Sequence, residues 1–408
     1  GYYVYLPQIL KYNDIQGKEI LNNLSENEQL NASGRLLPIE NGNYLNKYPI
    51  GVAILSTPFF IIADIINTNF LHGSNYFEGI YSLFSSVSAG FYLVLGLIFL
   101  GKLLLKYFTR KIVILTLVVV TLGTNLLHYS TFDGSFSHVY SFALISAFTY
   151  YVLSFDRFKS RFLYWIGLGG VFGLIAATRQ TNIIVALLLV YPLLKELKSL
   201  GIRNFFKAYY SKLFLFGIFT VLLFLPQIIY WYVVTGYPLV SSYSYNSYEV
   251  FNFAKPELGN VLFGVRKGLF FWAPILLFTI PGFILMFKRK VEYRYTLVSV
   301  LVVQVLIVAD WWAGSYGFSF GHRAFTEFIV LFSIPLAFFF EWLFKLKRKK
   351  LVALTWVVVG FLVLLNLFQM QQYWRGLINP DGMTIENYIK IFMQPCTSKI
   401  EFLRCDWL

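Results

Sequence analysis

The chain has 408 residues, 57% of them apolar, 20% aromatic and only 13% charged, with a mean hydropathy of +0.62. Soluble domains carry roughly 25% charged residues, so this balance excludes an ordinary soluble enzyme and points to a polytopic membrane protein. The net charge of +14 does not argue for nucleic acid, because the basic residues sit in short clusters between apolar runs, where they face anionic lipid and set topology.

The chain opens on GYYVYLPQILKYND and reaches NKYPIGV at 46–52. The next stretch, 50–67 (IGVAILSTPFFIIADIIN), has the hydropathy of a span but carries Pro58 and Asp64. If it crossed, every later basic turn would change sides. It is expected to lie in the outer interface instead. Residues 1–78 then form an external loop with interfacial helices, and a first transmembrane helix is expected upstream of Gly1.

A crossing takes about 17–25 apolar residues. Candidate runs follow near 79–101, 112–129, 138–154, 162–178, 181–194, 213–234, 268–287, 295–309, 324–344 and 351–369, some of them short. Five basic turns lie between them: Lys102 to Lys111, Arg157 to Arg161, Lys195 to Lys212, Lys288 to Arg294, and Lys345 to Lys350. They fall after every second run, which the positive-inside rule makes cytoplasmic. The Lys/Phe alternation of 195–212 suits an interfacial amphipathic helix. The expectation is an all-α polytopic membrane protein: a bundle of about ten transmembrane helices over 79–369, interfacial helices outside, and an external C-terminal tail over 370–408.

Sorting polar residues by side locates the chemistry. His72, His128, His138 and His322, the only histidines, all fall at external helix ends or in external connections. A transporter would place ionisable groups at the bilayer midplane, and the centres of these runs are nearly free of charge. Cys396 and Cys405 share the tail, where an oxidising compartment permits a disulfide; two separate thiols are the alternative. Neither a zinc-type Cys/His spacing nor a Walker or Rossmann glycine pattern occurs. The sequons at Asn23 and Asn31 matter only in a eukaryote.

Several external patches set an arginine beside small or aromatic residues: ATRQTN (177–182) with Arg179, LFGVRKGLFFWAP (262–274) with Arg266 and Lys267, and DWWAGSYGFSFGHRAF (310–325) with His322 and Arg323. A single interfacial arginine can simply snorkel to head groups. Several converging on one face make a clamp for phosphate oxygens, which guanidinium forks match in pairs. Asp133, in HYSTFDGSFSHVYSF (128–142), and Asp310 are open to two roles, as a helix cap or ion-pair partner, or as a base or metal ligand. Trp311 and Trp312 suit an interface belt or a sugar platform.

The order of these patches resembles the membrane glycosyltransferases of the GT-C superfamily, near the protein O-mannosyltransferases and the lipid A aminoarabinose transferases. GYYVYLPQIL followed by NKYPIGVAILSTPFF resembles their first external loop, in which an Asp-containing motif precedes an interfacial helix introduced by Lys-Tyr-Pro. ATRQTNIIVAL is similar to an Arg-Pro-Thr-Asn stretch, with Gln180 in place of proline. GVRKGLFFWAPIL and WWAGSYGFSFGHRAF resemble later Arg-containing loops. The resemblance implies an inverting transfer from a polyprenyl-phosphate sugar donor to a lipid, glycan or protein acceptor at the external face, in a bacterial inner membrane.

On that resemblance, Arg179, Arg266, Lys267 and Arg323 would hold the leaving phosphate, His322 would donate to it, and Lys47, Tyr48 and His138 would line the same substrate cavity. The family's aspartate is expected directly before Gly1. Asp14, the nearest acid, has the wrong spacing, which leaves Asp133 as the catalytic candidate within these residues. Some members use a divalent metal and others do not. The alternatives are a lipid-linked glycan flippase or exporter, which would need charges inside its crossings, and a non-catalytic scaffold subunit of the same fold.

Overall fold

The structure, a computed structural model, describes residues 1–22, 35–73, 75–243, 245, 251, 256–312 and 314–392. The sequons at Asn23 and Asn31 and both cysteines lie outside these residues. Helices make up most of it. Among the described residues the one sheet is a short antiparallel hairpin pairing Leu36–Pro38 with Tyr44–Asn46.

All ten apolar runs are helical, as they must be where lipid offers the backbone no hydrogen-bonding partner. Their lengths differ from expectation. Among the described residues, five helices have the length and composition to cross a membrane: Gly51–Leu71, Gly79–Leu104, Gln180–Thr235, Arg323–Lys345 and Lys349–Trp374. The others are shorter, because Gly123 ends Arg110–Leu122 and the 268–287 run breaks around Ala273 and Pro274 into Leu269–Trp272, Pro274–Phe278 and Thr279–Lys288. The runs at 181–194 and 213–234 join into one helical stretch bent at Gly201 (φ 73°). Four of these helices hold five of the ten expected runs, because Gln180–Thr235 holds two, and the fifth, Gly51–Leu71, is the stretch expected to lie in the interface.

Burial shows which helices form cores. Only 11% of the most apolar window of Lys349–Trp374 is buried, against 83% for Arg323–Lys345. An apolar surface of that extent needs a solvent other than water. In the Lys195 to Lys212 stretch, Phe205 and Tyr209 point inward while Phe206 and Tyr210 are exposed, the two-faced pattern expected there.

The chain forms two compact units. The first comprises Gly1–Leu95 and Gly134–Val250. Its helix Phe162–Thr178 lies so close to Val190–Thr235 that a Cβ on Gly169 would sit 2.3 Å from the Phe216 carbonyl oxygen, and one on Gly173 would sit 2.4 Å from that of Thr220. Small residues four apart allow this backbone approach. The hairpin is pinned to the end of the same long helix: Asn46 N donates to Tyr230 Oη at 2.7 Å, Ile50 N to Gln227 Oε1 at 2.7 Å, and Asn43 Nδ2 to the Val234 carbonyl at 2.9 Å. Asp14 accepts from the backbone of Gly17, Glu19 and Ile20 and so caps a turn. Asp64 pairs with Lys11 at 2.8 Å and accepts from Tyr81 Oη at 2.8 Å.

The second unit comprises Gly96–Asp133 and Phe251–Leu408. Arg323–Lys345 runs through its core, where the Pro335 carbonyl occupies the space a Cβ on Gly282 would need. The bundle boundary expected at residue 369 lies inside Lys349–Trp374. Beyond that helix the chain folds back, so that Ile378 and Met383 share a buried cluster with Trp272, Phe320 and Met370. The helix Ile385–Ile391 that follows buries none of its residues.

Candidate functional site

Four of the predicted site residues meet in the first unit. The hairpin delivers Lys47 and Tyr48, held by Ser242 Oγ donating to the Lys47 carbonyl (2.8 Å) and Tyr5 Oη to the Tyr48 carbonyl (2.6 Å). The Tyr48 ring packs on Tyr2 at 4.6 Å and Tyr243 at 6.1 Å, and Lys47 Nζ lies 5.3 Å from the Tyr243 ring. Arg179 stands in extended conformation between Phe162–Thr178 and the tight helix Gln180–Leu189, within electrostatic reach of Tyr243. Gly51 begins its helix against this segment: a Cβ there would fall 2.5 Å from the Ala177 carbonyl oxygen. Only glycine permits that approach.

Arg179 Nη1 lies 3.2 Å from His138 Nδ1, and His138 is almost wholly buried. A guanidinium only donates, so Nδ1 accepts and the imidazole is neutral, with its proton on Nε2. Ser137 Oγ, one residue earlier, lies 3.1 Å from Tyr2 Oη. The result is a cluster of phenols bordered by two cations, the type of lining that takes an anionic headgroup with an apolar or sugar moiety beside it.

The second unit gathers Asp133, Arg266, Lys267 and Arg323. The helix Leu126–Ser130 ends in a turn in which Asp133 N donates to the His128 carbonyl (3.1 Å), folding Asp133 back onto the His128 ring. His128 Nε2 lies 2.8 Å from Asp133 Oδ2, and Trp374 Nε1 donates to His128 Nδ1 at 2.8 Å. Asp133 and Arg323 both lie within electrostatic reach of Tyr129, Tyr373 and Lys267.

Lys267 is buried, and its ammonium donates to the carbonyl oxygens of Ser319 and Pro380. Burial pushes it down to about 7; Arg323 and Arg266 push the same way, while Asp381 and Asp133 oppose. Arg266, more than half exposed, donates from Nε to the Asp381 carbonyl (2.7 Å) and pairs with the Asp381 carboxylate (3.0 Å). His322 Nε2 donates to the Gly314 carbonyl (3.0 Å), and its ring packs on Tyr316 and Phe325.

The predicted residues therefore fall into two groups: Lys47, Tyr48, His138 and Arg179 in one unit, Asp133, Arg266, Lys267, His322 and Arg323 in the other. The glycines of 310–325 serve the loop itself: Gly317 and Gly321 take positive φ, and Gly321 sits against Trp272 and Asn125. Sequence reasoning missed Tyr243, Trp374 and Asp381. For Asp381 a signal exists in Asn379-Pro-Asp-Gly, a turn sequence, whose Asn379 Oδ1 accepts from Asp381 N and Gly382 N.

Among solved structures, the chain aligns with archaeal oligosaccharyltransferase AglB from Archaeoglobus fulgidus, in complex with an inhibitory peptide and a dolichol-phosphate. The TM-score is 0.55 at 12% identity, over 93% of this chain and 56% of that one. At that identity the likeness is one of fold. The chain spans a little over half of AglB's length. The apo form of the A. fulgidus oligosaccharyltransferase aligns at a TM-score of 0.43 and 13% identity, over 87% of this chain and 53% of that one. No protein-family model and no curated protein matches the sequence.

Proposed function

We propose that the protein is a membrane glycosyltransferase that moves a sugar from a polyprenyl- or dolichyl-phosphate carrier to a lipid, glycan or peptide acceptor at the outer membrane face. The observation that carries this reading is the fold shared with AglB, whose structure holds a dolichol-phosphate and a peptide. The two cation clusters add the chemistry such a donor needs. Lys47 and Arg179, set among phenols, would neutralise a phosphate bound at the first unit, and Arg266 and Arg323 one bound at the second, each where a low dielectric strengthens the contact. Lys267 supports them by pinning the Arg323 loop. His138 would hold the Arg179 guanidinium through Nδ1, and His322 would act through the loop it closes.

In the transfer, an acceptor nucleophile bonds to the anomeric carbon while the bond from that carbon to the phosphate oxygen breaks. The bonding electron pair leaves with the phosphate, and the nucleophile's proton passes to a base, which we assign to Asp133. A single displacement inverts the anomeric centre. Helix Gly51–Leu71 lies along the outer interface in this reading, and the cell-envelope setting follows the family resemblance. Among the described residues no three His, Cys, Asp or Glu side chains form a metal-holding group.

The test uses the full chain in nanodiscs, presented with undecaprenyl- and dolichyl-phosphate-linked glucose, mannose and aminoarabinose and assayed for release of the free lipid phosphate. Wild type should consume at least one donor. Arg179→Ala and Arg323→Ala should each slow release about 100-fold while the protein still inserts and folds. Binding of undecaprenyl phosphate, read by native mass spectrometry, should weaken in parallel. Wild-type binding and turnover retained in both variants would discard the phosphate role.

A further inference from the structure

Both ring nitrogens of the buried His128 face side chains, and the two partners differ in kind. The indole Nε1–H of Trp374 can only donate, so His128 Nδ1, 2.8 Å away, must accept and carries no proton. The remaining imidazole proton sits on Nε2, 2.8 Å from Asp133 Oδ2. A carboxylate at that distance accepts it. The ring has no room to turn over: it lies nearly parallel to Phe132 (5.6 Å, 26°) and Trp374 (6.3 Å, 22°), with Tyr129 and Tyr373 edge-on against it. Its side chain is fully buried, while the Asp133 side chain is 23% exposed.

We propose that Trp374 and His128 are positioning residues for Asp133. The indole selects the Nε2–H tautomer, and the imidazole donates that N–H to Oδ2 and fixes the carboxylate's orientation, leaving its other oxygen available. The arrangement is directional. With the opposite tautomer, Nδ1–H would face the indole N–H, two donors in contact, and bare Nε2 would face Oδ2, two acceptors in contact. Both bonds would be lost together inside a buried site, where an unmade hydrogen bond costs most. At other sites too, a partner on one ring nitrogen fixes the proton on the other. The chain links are long in sequence for Trp374 and short for Asp133: the indole comes from the end of Lys349–Trp374, 246 residues away, whereas Asp133 is five residues on.

The tautomer itself follows from geometry alone; its consequence for turnover rests on the sugar-transfer reading. The experiment is nitrogen NMR on the full chain in nanodiscs with ¹⁵N-labelled histidine, the His128 signals being assigned by their loss in His128→Gln. Wild type should show His128 neutral at pH 7 with its proton on Nε2, and Trp374→Phe, which keeps the ring stack but removes the donor, should yield a tautomer mixture or a protonated ring. An Nδ1-protonated or doubly protonated His128 in wild type overturns the proposal.

The donor-release assay then gives the kinetic arm. Trp374→Phe should lower kcat about tenfold with the donor KM unchanged, and unchanged kcat overturns the positioning role. Should Trp374→Phe fail to fold, His128→Gln against His128→Leu decides: the glutamine amide can still donate to Asp133 and should retain more turnover than leucine, and equal loss overturns the proposal. Failure of the sugar-transfer role of Asp133 shows separately, as full turnover in Asp133→Asn alongside the expected wild-type histidine spectrum.

Discussion

Lys267 donates its ammonium protons to the carbonyl oxygen of Ser319 across 52 residues of sequence, and to that of Pro380 across 113. Ser319 N also donates to the Pro380 carbonyl (2.9 Å), and Ser315 Oγ to Asp381 (3.0 Å). One buried cation thus fastens three connections of the second unit together.

That burial has a pH signature. The ammonium lies at about 7 in the folded protein against 10.5 for an ordinary lysine. Between these values the unfolded chain binds the extra proton, so stability rises with pH across the window, at up to about 1.4 kcal/mol per pH unit. The cost of burying the charge is present in full below the folded value and fades as pH climbs. Melting temperatures in detergent from pH 6.5 to 9.5 should therefore rise in wild type relative to Lys267→Met. A pH-independent difference between the two would show that the lysine is not held as described.

The contact between Phe162–Thr178 and Val190–Thr235 depends on two missing side chains. Gly169→Ala and Gly173→Ala should each cost about 1–3 kcal/mol of stability, since the new methyl meets a carbonyl oxygen rather than a flexible side chain. Gly167→Ala, on the same helix with open space around it, should be neutral or slightly stabilising. Equal melting temperatures for all three variants would refute the close approach.

Arg266 and Asp381 make a two-point contact, but with the arginine side chain 57% exposed its contribution to stability is small. A double-mutant cycle on Arg266→Ala and Asp381→Ala should return a coupling of about 1 kcal/mol or less, with the guanidinium left able to serve an anionic ligand. A coupling well above that, by chemical or thermal unfolding, would make the pair a structural clasp instead.

Much of the helical architecture was legible from hydropathy. Each apolar run became helix, and the basic clusters fell between them. Crossing lengths were not legible, because Gly123, Ala273 and Pro274 interrupt runs that look continuous to an average, and Gly201 bends two into one long element. The candidate residues were found as patches, yet their partners were not. The GVRKG patch contains both Arg266 and Lys267, and nothing local says that the first reaches the surface while the second is buried against two carbonyls.

The residue order alone established the apolar solvent and the helical class, since these follow from averages over neighbouring side chains that lipid or water reads one segment at a time. Packing in three dimensions assigned partners: Trp374 to His128, Asp381 to Arg266, Tyr243 to Lys47. A hydrogen bond depends on the direction and distance of two groups hundreds of residues apart in some cases, and no periodicity along the chain carries that information.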